Sequence, residues 1–253
     1  MKFIWLLLPV LIFSCAPQSD EVTVEYIAHA SFKISYGDKS LLIDPYADTT
    51  WIGYYFPKNI TADAALITHP HYDHDGGRFR GIKPYWEDQL QIIEEVGAYQ
   101  VGDFKITGLK GKHCDPYGKE FDQKNTIWVI EVAEMKFVHI GDNGPLTQEH
   151  YDAIGTPDIF FVPIDGDHHI LKPDELKVVL TTLNPRVTVP MHYRLPDLED
   201  EGLPRGGLGP IDPYLEGKEV EKLDGNTKMF STASLSDSKP IVVFEHSKDV
   251  VRK

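Results

Sequence analysis

Cysteine is nearly absent from this chain of 253 residues, which holds two, at positions 15 and 114. The first falls in a leader, so no disulfide framework can brace the remainder. Stability must then come from the core and from any bound metal. Runs of basic residues are missing as well. Lys and Arg total 25 against 39 Asp and Glu, a formal net charge of −14. That balance argues against nucleic acid as a partner, because a phosphate backbone needs a positive surface. Also lacking is any apolar run long enough to span a bilayer. The longest, from Phe3 to Phe13, is too short. What is present in quantity is core-forming material, with 42% hydrophobic residues.

The short apolar run follows Lys2 and has the layout of a secretory signal. It ends in Ile12, Phe13, Ser14 and Cys15, similar to a bacterial lipobox with Cys15 as the lipidated residue. The plainer alternative is a secretory signal with an incidental cysteine. The polar stretch APQSDE then reads as a tether. The expected organisation is a signal peptide over 1–14, a lipid-anchored tether over 15–21, and one domain over 22–253. The expected address is the bacterial cell envelope, with membrane contact through Cys15.

Beyond the tether, strands come first. Val22, Val24 and Tyr26 alternate, then Phe32 and Ile34, then the run Leu41–Ile43, with a Gly-Asp turn between the last two. YQVGDFKITGLKGKH and NTIWVIEVAEMKFVHIGD each read as a hairpin. EDQLQIIEEV is ambiguous between helix and strand. LTQEHYDAIG is expected to be a helix capped by Thr147 and stopped at Gly155. KPDELKVVLTTLNP carries Pro173 in its first turn and Leu176, Val179, Leu180 and Leu183 on one face, which predicts a second helix. Residues 195–217, dense in Pro, Gly and acid, read as a long loop. The order of elements suits an α/β protein with sheets covered by helices.

Five apolar strands end in a titratable residue: Asp44, His69, Asp142, Asp165, and His192 after Met191. Sites in open α/β sheets gather beyond the carboxyl ends of strands. Five such ends point to one shared edge. One of them opens the stretch LITHPHYDHDGG, where His69, His71, Asp73 and His74 form H-x-H-x-D-H. Crowded imidazoles and carboxylates cannot be buried as ordinary core. A metal resolves the crowding, since neutral imidazole and carboxylate both ligate Zn²⁺.

The motif resembles that of the metallo-β-lactamase fold superfamily. IAHASFKI, LLIDPY, VHIGDNG, IDGDHHILKPDEL and VPMHY are similar to its other landmarks, in the expected order over most of residues 22–193. The resemblance implies a four-layer αββα sandwich with two metals at one edge, between the sheets. It implies that His69, His71 and His113 hold the first metal and Asp73, His74 and His192 the second, with Asp142 bridging both. Asp73, Asp142 and His168 are the expected catalytic groups, and His169 competes with His168 for contact with substrate at the site's mouth. Asp44 is expected either to hold a ligand histidine by its free ring N–H or simply to form an Asp-Pro turn. His29 and His139 read as packed histidines, His150 and His246 as surface ones, and Cys114 as a small buried side chain. Trp51, Tyr54, Tyr55 and Phe56 form either an apolar wall beside the metals or a core cluster under a loop. Arg194 is placed to meet an anionic group.

Two divalent ions, Zn²⁺ or alternatively Mn²⁺ or Fe²⁺, would share a water and supply hydroxide near neutral pH. The implied activity is metal-dependent hydrolysis of a phosphodiester, ester, lactone or amide. Within the superfamily, KGKHCD stands where β-lactamases and glyoxalase II-type thioesterases usually have a G-H-T-like turn. His71 stands where flavodiiron proteins usually have glutamate, and the acidic charge suits ribonuclease Z poorly. What remains is similar to the ascorbate-6-phosphate lactonases and the phospholipase D group that hydrolyses N-acylphosphatidylethanolamine. The envelope address favours a phosphodiester, lipid-like or small, or a small envelope-accessible ester. The alternatives are a lactonase or amidohydrolase, or a metal-holding envelope module without catalysis.

Overall fold

The computed structural model describes residues 20–47, 52–114, 117–165, 170–195, 197–198 and 208–252. The signal and Cys15, Trp51, His168, His169 and, within the 195–217 segment, residues 196 and 199–207 lie outside the described residues; the rest of that segment is not all loop, because Asp212–Leu215 forms a short helix opened by Pro213. No helix among the described residues is long and apolar enough to cross a membrane.

The strands in chain order are β1 (Val22–Ala28), β2 (Ser31–Tyr36), β3 (Lys39–Ile43), β4 (Tyr54–Tyr55), β5 (Ala64–Leu66), β6 (Gln91–Ile93), β7 (Gly97–Val101) and β8 (Phe104–Lys112). They continue as β9 (Lys124–Val132), β10 (Met135–His139), β11 (Ile159–Pro163), β12 (Val187–Met191), β13 (Val220–Lys222), β14 (Thr227–Phe230), β15 (Ile241–Val243) and β16 (Val251–Arg252). The helices are α1 (Tyr72–Asp75), α2 (Gln148–Ile154), α3 (Pro173–Leu183) and α4 (Asp212–Leu215). The segment 87–96, which periodicity leaves open, contributes a strand. Its Ile92 and Ile93 pair in parallel with Ala65 and Leu66, and that pairing decides what local pattern could not.

A six-stranded sheet runs β14-β1-β2-β3-β5-β6 and an eight-stranded sheet runs β13-β15-β12-β11-β10-β9-β8-β7. They face each other across an apolar layer. Val22, Val24, Phe32, Ile34, Leu41 and Ile43 of the first meet Phe104, Trp128, Phe137, Phe161 and Val189 of the second. The Phe32 and Phe161 ring centroids are 4.5 Å apart. A second cluster covers the outer faces. Ile154 of α2 and Leu176, Val179 and Leu183 of α3 pack with Val129, Val138, Phe160 and Val162. Over Leu42 and Ala65 the cover is Tyr46, Tyr54, Phe56 and Trp86. Tyr54 and Phe56 are therefore core under a loop rather than an exposed wall. The architecture is the expected mixed α/β fold with two sheets and helices outside them.

Local signals set the helix ends. Thr147 caps α2 and Gly155 closes it. Pro173 opens α3, where the Glu175 carboxylate accepts from the Lys172 backbone N–H at 2.9 Å.

The strand directions position the site. β3 and β5 run parallel, as do β10, β11 and β12, so their carboxyl ends lie together at one edge. Three bonds tie the sheets there: the His192 N–H to the His29 carbonyl at 3.0 Å, the Thr126 N–H to the Thr68 carbonyl at 2.7 Å, and the His139 Nε2–H to the Ala30 carbonyl at 2.9 Å. Gly141 allows the turn that aims Asp142. Its φ is +55°, and a Cβ would sit 2.6 Å from the Thr68 side chain.

Candidate metal centre

Strand ends, one short helix and two loops bring eight side chains together in two groups. His69, His71, His113 and Asp142 form the first. His29, Asp73, His74 and His192 form the second. Within each, one candidate ligand atom per residue lies within 4.8 Å of the others. All eight residues are buried. The H-x-H-x-D-H spacing works because α1 begins at Tyr72. His69 and His71 approach in extended chain, whereas the first helical turn swings Asp73 and His74 toward the second group.

Asp142 stands between the groups. Its Oδ2 is 3.6 Å from His69 Nε2, 3.5 Å from His113 Nε2 and 3.4 Å from His192 Nε2. Its Oδ1 is 3.3 Å from His74 Nε2. One carboxylate thus faces two histidines of each group.

Supporting hydrogen bonds fix ring tautomers. His74 donates from Nδ1 to Asp44 Oδ2 at 2.8 Å. Asp44 also accepts from the Thr68 backbone N–H at 2.8 Å and from the Thr68 hydroxyl at 2.7 Å. The Thr68 oxygen can then accept from His69 Nδ1, 3.0 Å away. His113 donates from Nδ1 to the Cys114 carbonyl at 3.0 Å. In each case the lone pair is left on Nε2, facing Asp142. Three non-glycine residues here hold a positive φ: His29 at 60°, Asp44 at 46° and His192 at 56°. Such conformations store strain and concentrate at functional sites.

The residues fit a pair of cations. Among the described residues, the Nε2 atoms of His74, His113 and His192 have no hydrogen-bond partner, nor do Asp73 Oδ1 and Asp142 Oδ1. Buried polar atoms are normally satisfied. His69 Nε2 and His71 Nδ1 face each other at 3.1 Å, an arrangement that a shared cation resolves. Nitrogen and carboxylate donors in this mixture suit divalent ions.

Burial and mutual charge shape the titration of the metal-free cluster. Burial pushes His69 well down and His71 down, and pushes His29 to about 4, with His192 adding to the last. Burial also opposes the charge on His74, but Asp142, Asp44 and Asp73 overcome it and hold that ring well above its ordinary value. His192 rises to about 9 against its own burial, through Asp142 and then Asp165. Burial favours the neutral acid at Asp73 and Asp142. The histidines win nonetheless: His74 and His29 depress Asp73, and His192, His74 and His69 hold Asp142 well below the carboxylate range.

Every expected ligand within the described residues therefore reaches the site, and Asp44 does hold a histidine. His29 is the residue that sequence reasoning under-read. It is packed, as expected, but its Nε2 is 3.0 Å from Asp73 Oδ2 and its ring centroid 4.3 Å from that of His192. Its place in the strand-turn-strand segment IAHASF, opposite the metal edge, is the signal that could have found it. Phe121 was missed too. Its ring lies 4.7 Å from His71 and 5.6 Å from His113, centroid to centroid, and covers the first group. Glu120 Oε1 is 3.9 Å from His71 Nε2. His139 is packed as expected. His150 caps α2, and His246 pairs with Asp197 at 2.6 Å. Cys114 is buried, its Sγ 3.6 Å from His113 Nδ1. Arg194 is half-buried and fixed through its backbone N–H to the Gly209 carbonyl at 2.9 Å.

A family model described as the beta-lactamase superfamily domain matches residues 23–192. A metal-dependent hydrolase of Thermococcus onnurineus is 30% identical over 195 residues, which cover 68% of this chain and 84% of that one. Another, of Thermoplasma acidophilum, is 25% identical over 222 residues, covering 80% and 98% respectively. Among solved structures, a candidate Zn-dependent hydrolase of the metallo-beta-lactamase superfamily from Thermotoga maritima superposes with a TM-score of 0.65 at 28% identity, over 89% of this chain and 100% of that one. A metallo hydrolase of Ignicoccus hospitalis superposes with a TM-score of 0.53 at 22% identity, over 83% and 99%, a likeness of fold.

Asp44→Asn should lower divalent metal affinity about 10–100-fold, because it loosens two ring tautomers at once. Competition with a chromogenic chelator measures this. In the metal-free protein, NMR titration of His192 should give a value near 9. A folded value above the ordinary one means the stabilisation is complete below pH about 6.5 and is lost as pH rises through about 9. Asp142→Asn should move that titration downward.

Proposed function

From the premise that this chain belongs to the beta-lactamase superfamily and is a metal-dependent hydrolase, we propose that it cleaves a phosphodiester of small or lipid-like form at the bacterial envelope. The observation that carries the reading is the Asp142 carboxylate, set between two histidine groups at 3.3 to 3.6 Å. Two cations held by these groups would suit in-line displacement at phosphorus. The landmarks Asp44-Pro45, Gly141-Asp142 and Met191-His192-Tyr193 resemble those of the phospholipase D and lactonase branch, and the leader supplies the address.

In this reading His69, His71 and His113 would hold one ion and Asp73, His74 and His192 the other, with Asp142 placed to serve either. Zn²⁺ suits the nitrogen-rich set, and Mn²⁺ or Fe²⁺ also fits. Bound there, the ions would polarise the scissile group and lower the pKa of water toward neutrality. The chain's own groups do the remaining work. Asp44 and Thr68 keep the lone pairs of His74 and His69 turned inward. His29 orients the Asp73 carboxylate. Phe121 excludes water from one side of the first group. The resemblance assigns His168, which lies outside the described residues, to the leaving group.

The test is hydrolysis of bis(p-nitrophenyl) phosphate by the purified chain as loaded, after chelation, and after Zn²⁺ or Mn²⁺ is restored. Turnover should vanish on chelation and return with metal, and Asp73→Ala should abolish nearly all of it. Absence of turnover with two metals bound would move the substrate to a lactone or amide. Lipidation at Cys15 would account for the envelope address. Cys15→Ser should shift the protein from the membrane fraction to the soluble one on cell fractionation.

A further inference from the structure

An apolar cleft lies beside the metal centre, between α3 and the segment that carries α4. Its volume is about 630 Å³, within the range of small-molecule sites, roughly 300–1,000 Å³. Ile164, Leu171, Leu176, Leu180 and Tyr214 supply the apolar wall, and prolines 173, 210 and 213 stiffen it. Prolines at these positions limit how far the wall can collapse when empty. Lys177 and Lys218 line it as well, both from exposed positions. Lys218 lays its ammonium over the Tyr214 ring, 4.4 Å from the centroid, so its stem extends the apolar surface.

One residue, Asp165, joins the inner end of this cleft to the metal centre. Asp165 lines the cleft and also places its Oδ2 3.8 Å from His192 Nδ1. Gly209, another lining residue, donates its N–H to the Asp165 carbonyl at 3.1 Å and accepts from the Arg194 N–H at 2.9 Å. The cleft floor is thereby stitched to the two strand ends that flank His192. The polar atoms at the inner end and the hydrocarbon wall beyond them match a molecule that is polar at one end and apolar along the rest.

We propose that this cleft holds the alkyl or acyl chain of an amphiphilic substrate while its polar head is cleaved beside His192. The assignment rests on the hydrolase reading above and deepens it by naming the substrate class. It predicts that affinity rises with chain length, since each buried methylene adds favourable transfer energy.

The probes are butyl phosphate and decyl phosphate, each titrated calorimetrically into the metal-loaded full chain. Decyl phosphate should bind roughly tenfold more tightly or better. Thr181→Trp, at an exposed position of α3 that lines the cleft, and Leu180→Phe, at a half-buried one, should bring the ratio close to one. Circular dichroism checks that both variants are folded. Equal affinities in the wild type, or a chain-length preference that survives both substitutions, would overturn the proposal. The outcome is separable from the phosphodiester reading, because the readout is binding. A chain that hydrolyses bis(p-nitrophenyl) phosphate yet ignores chain length loses only the cleft. A chain that prefers decyl phosphate yet cleaves no diester keeps the cleft and loses the phosphodiester.

Discussion

Electrostatic compensation around Asp142 is the constraint on which the site depends. Six histidines and two aspartates are buried together where the two sheets meet. In such surroundings an unpaired charge or an unpartnered polar atom costs several times what it would at the surface. Without cations the cluster partly compensates itself, with His74 and His192 carrying charge opposite Asp142 and Asp73. Several ring nitrogens and carboxylate oxygens nevertheless have no hydrogen-bond partner among the described residues. Two divalent ions would complete the arrangement, and coordination would then couple metal binding to the stability of the edge.

The surrounding fold holds this cluster rigid from both sides. Asp44 reaches in from the end of β3, and the His29 carbonyl accepts from the backbone of His192, so the six-stranded sheet constrains ligands carried by both sheets. The three strained backbone positions at His29, Asp44 and His192 persist because packing and hydrogen bonds over-determine them. Behind the site the aromatic layer that includes Phe32, Phe137 and Phe161 fixes the sheet spacing. A ligand set spread over β5, β10 and β12 and the loops after them can keep its geometry only if that spacing does not relax.

The chemistry of hydrolysis and the choice of substrate have separate physical origins here. The buried histidine and aspartate groups form the candidate reactive centre. The features around it that would shape recognition are the Phe121 ring beside the first group and the apolar cleft between α3 and α4. One fold hosts many reactions because such peripheral features vary while the centre stays constant. The acidic surface adds a limit of its own, since a chain of net charge −14 does not attract polyanions by long-range steering.

Much of the centre was legible from residues alone. H-x-H-x-D-H after an apolar strand carries its own physical rationale, and strands that end in Asp44, Asp142 and His192 announce a shared edge because parallel strands align their carboxyl ends. Helix α3 was readable from Pro173 and a leucine-valine face, and α2 from its caps, since these signals act within a few residues. The strand at Gln91–Ile93 was not, because only its pairing with β5 distinguishes it from a helical turn. Nor could local pattern tell that His29 would touch Asp73, 44 residues away, while His139 would merely pack. The Phe121 cover and the cleft beside α3 likewise arise from segments distant in sequence. The sequence by itself determined which groups could ligate, through residue type and short-range spacing. The tertiary structure alone decided which of them meet, because contacts between the two sheets are set by packing across the whole core.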